Sequence, residues 1–435
     1  MNSNFYSHII LGNTNELFLE EVFLLPTKQI SQLLDDYAYA ANRSIYYESD
    51  NKIIILPKIF DERLREHYIK HIGYQNVVHW YPNKQEDSLC LAILKDEQLF
   101  AKLQEVIAAH PKIVLTAYAY TKEFDLLVKT LREKGLEFSL DNEPTTLDIV
   151  RELNSKTAFR LLMETVESQI GEQIIPKGKI CDTVDQAVAL MEDFIEKTQP
   201  FVIKSNNGAS GRGVILSENI PTQKTLDYFY ARLKADKMWE QSQIVVEEKI
   251  IAPVVFSPAS ELIITDTDIV YTYWYIQTLT DKGECFGALI GQEYASQKVQ
   301  ESLQHQSLLI AKAYQQKGYR GFLGIDFIVD AQENVYAIET NARRTGVTHG
   351  YDILKFIYGK QWVNQHTYVC NYWEFQKNIQ DLQTLLNILK PLIYDGKKGI
   401  IILNFSSDLN ELSFLIVACN KQEIDIYVEQ LSTLI

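Results

Sequence analysis

Two adjacent predicted strands constrain the fold more than any other part of the sequence. Apolar and β-branched residues predict strands at 323–330 and 335–340, joined by a polar turn at 331–334. A turn centred between residues 332 and 333 fixes one register, in which every residue of the first strand has a defined partner on the second. The segment is therefore predicted to be an antiparallel hairpin.

In that register two acidic side chains face each other. Asp326 lies opposite Glu339, and Asn341 shares the face of Glu339 because side chains alternate along a strand. Like charges at a cross-strand distance of about 5 Å are destabilising, so a cation between them is expected. Two carboxylates and an amide oxygen favour Mg²⁺ over zinc, with Mn²⁺ as the alternative. Arg343 and Arg344 follow directly and predict an anion such as phosphate at the same site.

The plain alternative is a hairpin whose charged residues face water, which is where most charged side chains lie. The apolar neighbours Phe327, Ala337 and Ile338, together with the amide and the two arginines, favour the metal–phosphate interpretation.

Composition excludes several classes of function. The chain has 435 residues, enough for about three domains, and its 46% apolar and 23% charged residues are those of a globular protein. A net charge of −15 argues against a general nucleic-acid or anionic-membrane surface. The five cysteines are widely spaced, and neither an export signal nor a membrane-spanning run is apparent, so a reducing, cytoplasmic location is expected.

The region from residue 1 to about 145 alternates short apolar strands with amphipathic helices. This alternation predicts a parallel sheet covered by helices. No Gly-x-Gly-x-x-Gly sequence follows any of these strands, so a dinucleotide-binding fingerprint is missing. We expect this region to line one side of a cleft.

A glycine-rich segment follows the strand at 200–204. That strand delivers Lys204 into a small, flexible loop, and a second strand leaves it, which differs from a Walker loop. Backbone N–H groups of such a flap can cover phosphates, with the lysine as a point charge; the alternative is a plain hairpin turn. Lys156, in the first turn of an upstream helix, and the strand end at 243–251, which could border a flat heterocycle, are weaker candidates.

The order of these features resembles the ATP-grasp superfamily over about residues 145–360, and the run Asn341-Ala-Arg343-Arg-Thr-Gly is most like its peptide ligases. The resemblance implies an α/β and α+β multidomain fold: a parallel α/β pre-ATP-grasp domain (1–145), an ATP-grasp domain of two α+β subdomains (146–365, flap subdomain about 185–250) and a C-terminal αβ cap (366–435).

The resemblance also implies roles for individual residues. The ATP-binding set would be Lys156, Lys204, Gly208, Ser210, Gly211, Gly213, Glu248, Lys249, Ile251 and Glu261. Asp326, Glu339 and Asn341 would bind two Mg²⁺ ions, and Arg343 and Lys204 would be catalytic. Whether His349 or Arg344 contacts substrate is left open.

The implied activity is ATP-dependent ligation of a small-molecule or peptide carboxylate to an amine, through an acyl phosphate, with release of ADP. The alternatives are a catalytically inactive Mg·ATP-binding protein that acts through partners, and acyl-phosphate chemistry with a non-amine acceptor, as in a carboxylase or thiol ligase. The expected partners are therefore small molecules, with no nucleic acid and no membrane, and a homodimer is left open.

Overall fold

The computed structural model describes residues 5–19, 27–84, 86–144, 146–206, 213–235, 239, 242–251, 256–280, 283 and 285–435. Contacts between residues divide the chain into two compact units, each assembled from separate stretches of sequence. The first comprises Met1–Glu143, Phe286–Tyr294 and Arg343–Ile435, and the second comprises Pro144–Cys285 and Ala295–Ala342. Residues 366–435 thus fall in the first unit with the N-terminal residues, and the functional division into three domains stays a prediction.

The strands of the described residues are β1 (His8–Leu11), β2 (Lys52–Ile55), β3 (Val77–Trp80), β4 (Val114–Ala117), β5 (Ser139–Leu140), β6 (Gly178–Cys181), β7 (Phe201–Ser205), β8 (Val214–Leu216), β9 (Ile244–Glu248), β10 (Pro258–Ile264), β11 (Ile269–Leu279), β12 (Cys285–Ile290), β13 (Gly321–Val329), β14 (Val335–Asn341), β15 (His366–Glu374), β16 (Gly399–Ser406) and β17 (Glu411–Ala418).

The α-helices are α1 (Thr27–Ala41), α2 (Glu62–His71), α3 (Leu89–Lys95), α4 (Glu97–Ala109), α5 (Lys122–Glu133), α6 (Leu147–Leu153), α7 (Lys156–Ile170), α8 (Val184–Glu196), α9 (Gln223–Ala235), α10 (Gln297–Gln316), α11 (Thr348–Tyr358), α12 (Leu382–Leu389) and α13 (Lys421–Leu434). Short 3₁₀ helices include one at Asn42–Tyr46.

The first unit contains the parallel sheet predicted for the N-terminal region. Its strand order is β3-β2-β1-β4-β5, and each neighbouring pair is parallel. Its central strands are short apolar runs such as Ile53, Ile54 and Ile55, which are fully buried because helices cover both faces of a parallel sheet. Polar caps begin the intervening helices: the Thr121 side chain accepts a hydrogen bond from the Phe124 N–H at the start of α5. The predicted parallel α/β class is confirmed here.

Antiparallel strands make up the remainder of the first unit's sheet structure. β12 pairs with β15, β15 with β17, and β17 with β16. With helices α12 and α13, these strands confirm the αβ character predicted for residues 366–435. β15 was not predicted, because its mixture of polar and aromatic residues shows no clean alternation, although its first six residues are buried.

The second unit contains two antiparallel sheets. We call the four strands β6-β9-β7-β8 the flap sheet, and the four strands β14-β13-β10-β11 the site sheet. Helices α8 and α9 cover one face of the flap sheet, where Phe201, Ile203, Phe229 and Val246 form part of an apolar core. This arrangement confirms the predicted α+β class for this region. The face of the flap sheet away from these helices carries polar residues such as Lys204 and Glu247.

Arg344 is a fully buried charge in the first unit. Its guanidinium donates to Glu48 at 2.8 Å and Asp141 at 2.6 Å, lies 3.7 Å from Asp352, and stacks over the Tyr47 ring at 4.7 Å. Burial opposes its charge, but the three carboxylates more than offset that effect and raise the pKa of Arg344 well above its usual range. Asp141 and Asp352 are largely buried and Glu48 is partly exposed, and the three carboxylates come from separate stretches of the chain. We therefore expect a structural role for Arg344.

Replacing Arg344 by Met should destabilise the protein by about 3–5 kcal/mol, because the change leaves buried carboxylates without their cation. Arg132→Met is the control, since Arg132 forms an exposed pair with Glu143 and its loss should cost about 0–1 kcal/mol. Urea unfolding of the two variants measures the difference. Equal midpoints would contradict the structural role.

Candidate functional site

The predicted pairing of the two acidic side chains is confirmed. In the hairpin of β13 and β14, Asp326 lies opposite Glu339, and Gly324 lies opposite Asn341. Cross-strand partners and alternate residues point to the same side of a sheet, so the carboxylates and the amide share one face. Asp326 accepts hydrogen bonds from Asn341 Nδ2 at 3.2 Å and from Gln277 Nε2 at 2.7 Å. Amide dipoles therefore surround one carboxylate of the pair.

The turn of this hairpin differs from the predicted one, and a β-bulge compensates for the difference. Val329 pairs with Val335, so the turn is centred on residue 332. If this register continued without a break, Asp326 would pair with Ile338 and not with Glu339. The bulge leaves Ile338 as the extra residue on β14, which restores the pairing of Asp326. The Ile338 carbonyl accepts a hydrogen bond from Lys204 Nζ at 2.9 Å. The bulge thus links the acidic hairpin to the flap sheet.

Lys156 lies beside the second carboxylate. It begins α7, is 5% exposed, and its Nζ is 3.4 Å from Glu339 Oε1. A lysine in the first turn opposes the helix dipole, but the facing carboxylate supplies the opposite charge. The helix start is also tied to the end of β7, because Asn206 Oδ1 accepts hydrogen bonds from the Ser155 hydroxyl at 2.6 Å and the Thr157 N–H at 3.0 Å. These bonds hold Lys156 close to the base of the flap.

Glu247 holds two buried cations. Its carboxylate forms ion pairs with Lys204 on the neighbouring strand β7 and with Arg160 on α7, the latter at 2.7 Å. Arg160 also donates to the Pro176 carbonyl at 2.7 Å. The three side chains are between 3% and 6% exposed, so their charges are poorly screened by water. The mutual pairing is what makes their burial tolerable.

These side chains line one small cavity together with apolar residues of α7, β9 and β14. The lining is Lys156, Phe159, Arg160, Ile175, Lys204, Val245, Glu247, Ala337 and Ile338, and the cavity volume is about 10 Å³. That volume holds about one water molecule, so the charged groups are packed against one another. The two lysines predicted from the sequence are therefore brought together at the junction of the flap sheet and the site sheet.

Arg343 follows Asn341 by two residues and belongs to the first unit. Its Nη1 donates to the Tyr118 hydroxyl at 3.2 Å and to the Arg344 carbonyl at 3.1 Å, and its guanidinium lies 5.5 Å from the centre of the Tyr118 ring. These contacts direct the Arg343 side chain towards Tyr118 at the end of β4.

Three predicted adenine-site residues lie at the end of β9. Glu248 points away from Glu247, since neighbours on a strand face opposite sides, and it accepts a hydrogen bond from the Lys177 N–H at 2.9 Å. Lys249 Nζ donates to the Ser217 carbonyl at 2.8 Å, and burial lowers the pKa of this lysine. Ile251 is 51% exposed. The sequence pattern did not single out Glu247, which shares the face of Lys204 because it pairs with Val202, two residues before the lysine.

The remaining predicted residues are placed as follows. Glu261 is fully buried in β10, opposite Gly324, so it points to the same face of the site sheet as the acidic pair. Gly213 has φ +74°, a left-handed conformation that favours glycine, and its carbonyl accepts from the Ser205 N–H at 2.7 Å. Gly208, Ser210 and Gly211 lie outside the described residues. His349 is fully buried in α11.

The chemistry of the acidic face suits a hard divalent cation. Asp326, Glu339 and Asn341 offer oxygen donors from two carboxylates and one amide on one side of the site sheet. Within the described ranges, no group of three or more His, Cys, Asp or Glu side chains is arranged to hold a metal ion. A site here would thus depend on the amide and on oxygen atoms of a bound ligand, as Mg²⁺ sites commonly do.

No helix in the described part of the chain is long and apolar enough to cross a membrane. No protein-family model matches the sequence, and no curated protein sequence matches it.

Solved structures do match the fold over nearly the whole chain. Biotin carboxylase from Campylobacter jejuni, solved as a β,γ-ATP complex, has 13% identity and a TM-score of 0.58, with 99% of this chain and 92% of that chain covered. N5-carboxyaminoimidazole synthase from Aspergillus clavatus, solved with ADP and an aminoimidazole ribonucleotide, has 12% identity and a TM-score of 0.55, with 99% of this chain and 98% of that chain covered. N5-carboxyaminoimidazole synthetase from Staphylococcus aureus, complexed with ADP, has 13% identity and a TM-score of 0.52, with 98% of each chain covered. This chain has the fold of these enzymes.

Replacing Glu247 by Gln should destabilise the protein by about 3–5 kcal/mol, because Lys204 and Arg160 would be left as buried cations facing each other. Glu248→Gln is the matched control: it changes the adjacent, more exposed carboxylate and should cost about 1 kcal/mol. Denaturant unfolding of both variants provides the measurement. A loss in Glu247→Gln no larger than in the control would show that Glu247 does not balance the two cations.

Proposed function

We propose that this chain, which has the ATP-grasp fold of those neighbours, is an ATP-dependent ligase that activates a carboxylate and joins it to an amine. The fold bears out the resemblance seen in the sequence. What supports the activity is one contact in the second unit: Lys156 Nζ lies 3.4 Å from Glu339 Oε1. Through it, the lysines suited to phosphate and the carboxylates suited to a metal ion form one continuous polar cluster.

Mg·ATP would supply a phosphoryl group and divalent charge to this cluster. Lys156 and Lys204 would bind its phosphate oxygens as point charges, which stabilises negative charge without proton transfer. Each lysine already faces a carboxylate, so phosphate binding would exchange one anionic partner for another. Asp326, Glu339 and Asn341 would hold one or two Mg²⁺ ions; Mn²⁺ has the same ligand preferences.

Adenine would be placed by the strand end at 248–251, under the flap whose glycines are 208, 211 and 213. Backbone N–H groups near Ser210 could cover phosphates. Glu261 shares the face of the acidic pair and could bind ribose or orient a metal ligand. The Glu248 and Lys249 side chains are engaged with backbone groups of the flap sheet, so their proposed contribution is through the backbone.

The remaining chemistry requires an oriented carboxylate and an amine. Attack of the carboxylate oxygen on the terminal phosphoryl group would give an acyl phosphate and ADP, and the amine would then displace phosphate. Arg343 would steady the transferring group by charge-assisted hydrogen bonds. No covalent protein nucleophile is needed for this sequence of steps.

Bicarbonate is the second candidate for the acid. The Aspergillus clavatus synthase was solved with an aminoimidazole ribonucleotide, and a structurally similar 2-oxoglutarate carboxylase domain was solved with bicarbonate, so both proteins bind small molecules. A peptide or amino-acid carboxylate, bicarbonate and a non-amine acceptor all use the same phosphate and metal residues. We propose small-molecule substrates and a cytoplasmic location, with a homodimer as an open arrangement.

Purified protein should release ADP from Mg·ATP only when a suitable carboxylic acid is added. Lys204→Ala and Glu339→Ala should each lower this rate by about 10²–10³-fold, because each removes a preorganised charge at the reacting phosphates. Lys197→Ala is the control, since Lys197 is an exposed lysine of the same unit paired with Asp193 at 2.6 Å. A coupled assay with acids, bicarbonate and amines varied independently measures the rates.

Undiminished turnover in both active-site variants would refute the proposal. Tight binding of Mg·ATP by calorimetry, with no turnover over the whole substrate panel, would favour a binding protein that acts through partners. A strict requirement for bicarbonate would identify a carboxylase, and a requirement for a thiol acceptor would identify a thiol ligase.

A further inference from the structure

Arg43 is a second buried arginine of the first unit, and its surroundings differ from those of Arg344. It lies in the 3₁₀ helix Asn42–Tyr46 and is 9% exposed. Whereas Arg344 has three carboxylates around it, Arg43 takes part in no ion pair among the residues that the structure describes. Its guanidinium instead lies over the Tyr372 ring, 4.7 Å from the ring centre.

Several buried polar atoms beside Arg43 also lack partners. Nε and Nη2 of Arg43, both ring nitrogens of His349 and Oδ1 of Asn371 have no hydrogen-bond partner among the described residues. His349 is fully buried and Asn371 is 3% exposed. Buried polar groups are nearly always satisfied, so the two unsatisfied Arg43 donors, with the unsatisfied His349 nitrogens and Asn371 oxygen beside them, indicate that a polar ligand binds here.

Arg43 packs against the loop that follows Arg343. A β-carbon placed on Gly346 would lie 3.6 Å from Arg43 Nη1 and 3.5 Å from Asn371 Nδ2. Asn371 Nδ2 also donates to the Gly346 carbonyl at 2.9 Å. Arg343, three residues earlier, donates to the Tyr118 hydroxyl. Burial lowers the pKa of Arg43, but Tyr372 and then Tyr118 raise it by more, so both phenols lie close to the guanidinium. Arg43 also forms a side-chain hydrogen bond with Tyr372.

We propose that Arg43 binds the carboxylate of a small-molecule substrate, in a subsite completed by His349 beside the loop that follows Arg343. The planar fork of the guanidinium matches a carboxylate with two parallel hydrogen bonds. This inference rests on the proposed ligase function, because the subsite would bind the carboxylate of that ligase's substrate.

Charge balance favours a monoanion. Burial, and then the charge of Arg43, lower the pKa of His349 well below its usual range, so this imidazole is neutral and contributes one donor and one acceptor. Among the described residues, the Glu411 carboxyl lies within electrostatic reach of Arg43, and its pKa is raised to about 7, first by burial and then by Asp36. A single carboxylate therefore neutralises Arg43, whereas a doubly charged phosphate would leave one negative charge buried without compensation.

The test compares wild type with Arg43→Met, which keeps the length of the side chain and removes its charge. Thermal unfolding is followed in sodium acetate, L-alanine or sodium phosphate, each against sodium chloride at equal ionic strength. In wild type a carboxylate probe should raise the midpoint by about 2–4 °C, and Arg43→Met should abolish this rise. Arg65→Met removes a partly exposed arginine paired with Glu62 at 2.6 Å and should retain it.

The midpoint of Arg43→Met without added anion should equal or exceed that of wild type, because an uncompensated buried charge has been removed. A loss as large as that of Arg344→Met would instead assign Arg43 a structural role and overturn the inference. Arg43→Lys retains the charge without the fork; it should fold and show a smaller rise with the carboxylate probe. The inference would be overturned if the carboxylate probe raised the midpoints of Arg43→Lys and Arg43→Met as much as that of wild type. It would also be overturned if the wild-type midpoint did not rise, or rose with phosphate alone.

Turnover separates this inference from the ligase proposal. If ADP release is observed, Arg43→Met should raise KM for the carboxylate about 10–100-fold and leave KM for ATP unchanged. Unchanged KM values with active enzyme would refute the carboxylate subsite alone. A carboxylate-dependent rise that needs Arg43, in a protein that never releases ADP, would refute the ligase and leave the subsite in place.

Discussion

Compensation of buried charge is the constraint on which the interior of both units depends. In the second unit Glu247 lies between Lys204 and Arg160, and all three side chains are shielded from water. In the first unit Arg344 is held by carboxylates from separate stretches of the chain. A charge removed from water is tolerated only when an opposite charge and good hydrogen bonds replace its hydration. Such clusters fix the relative positions of the elements that supply their members.

At two sites the compensation within the protein is less complete, and a ligand is proposed at each. Asp326 and Glu339 are like charges on neighbouring strands, moderated by amide donors and by Lys156. Arg43 is a buried cation whose Nε and Nη2 have no partner among the described residues. Arg344 is paired with carboxylates within the protein, whereas Arg43 has nitrogens that a ligand would be expected to pair.

Much of this arrangement follows from local sequence. The parallel sheet is predictable because its strands are apolar runs separated by capped helices, and the acidic hairpin is predictable because alternation and a polar turn fix its register. The prediction of Asp326 opposite Glu339 was right although the turn was placed half a residue away from its true centre. The bulge at Ile338 offsets the error in the turn position. The residue types around Ile338 do not predict a bulge.

Other features depend on contacts that pattern alone does not reveal. Glu247 and Glu248 are chemically identical neighbours, and only the pairing of β9 with β7 decides which of them faces Lys204. The strand β15 lacks alternation because it is buried on both faces for most of its length. No sequence pattern singles out Arg43, because it was identified only by the buried nitrogens that lack a hydrogen-bond partner among the described residues.

The bulge at Ile338 has a consequence for how the site can act. A regular hairpin would use the Ile338 carbonyl in its own ladder or turn it away, whereas the bulged residue offers it to Lys204. Lys204 is thereby bonded to the acidic hairpin and, through Glu247, to the flap sheet and α7. A phosphate that drew Lys204 away from either partner would change the contact between the flap sheet and the site sheet. Lys204 therefore links the flap sheet to the acidic hairpin through one side chain, and a ligand bound there would compete with both contacts.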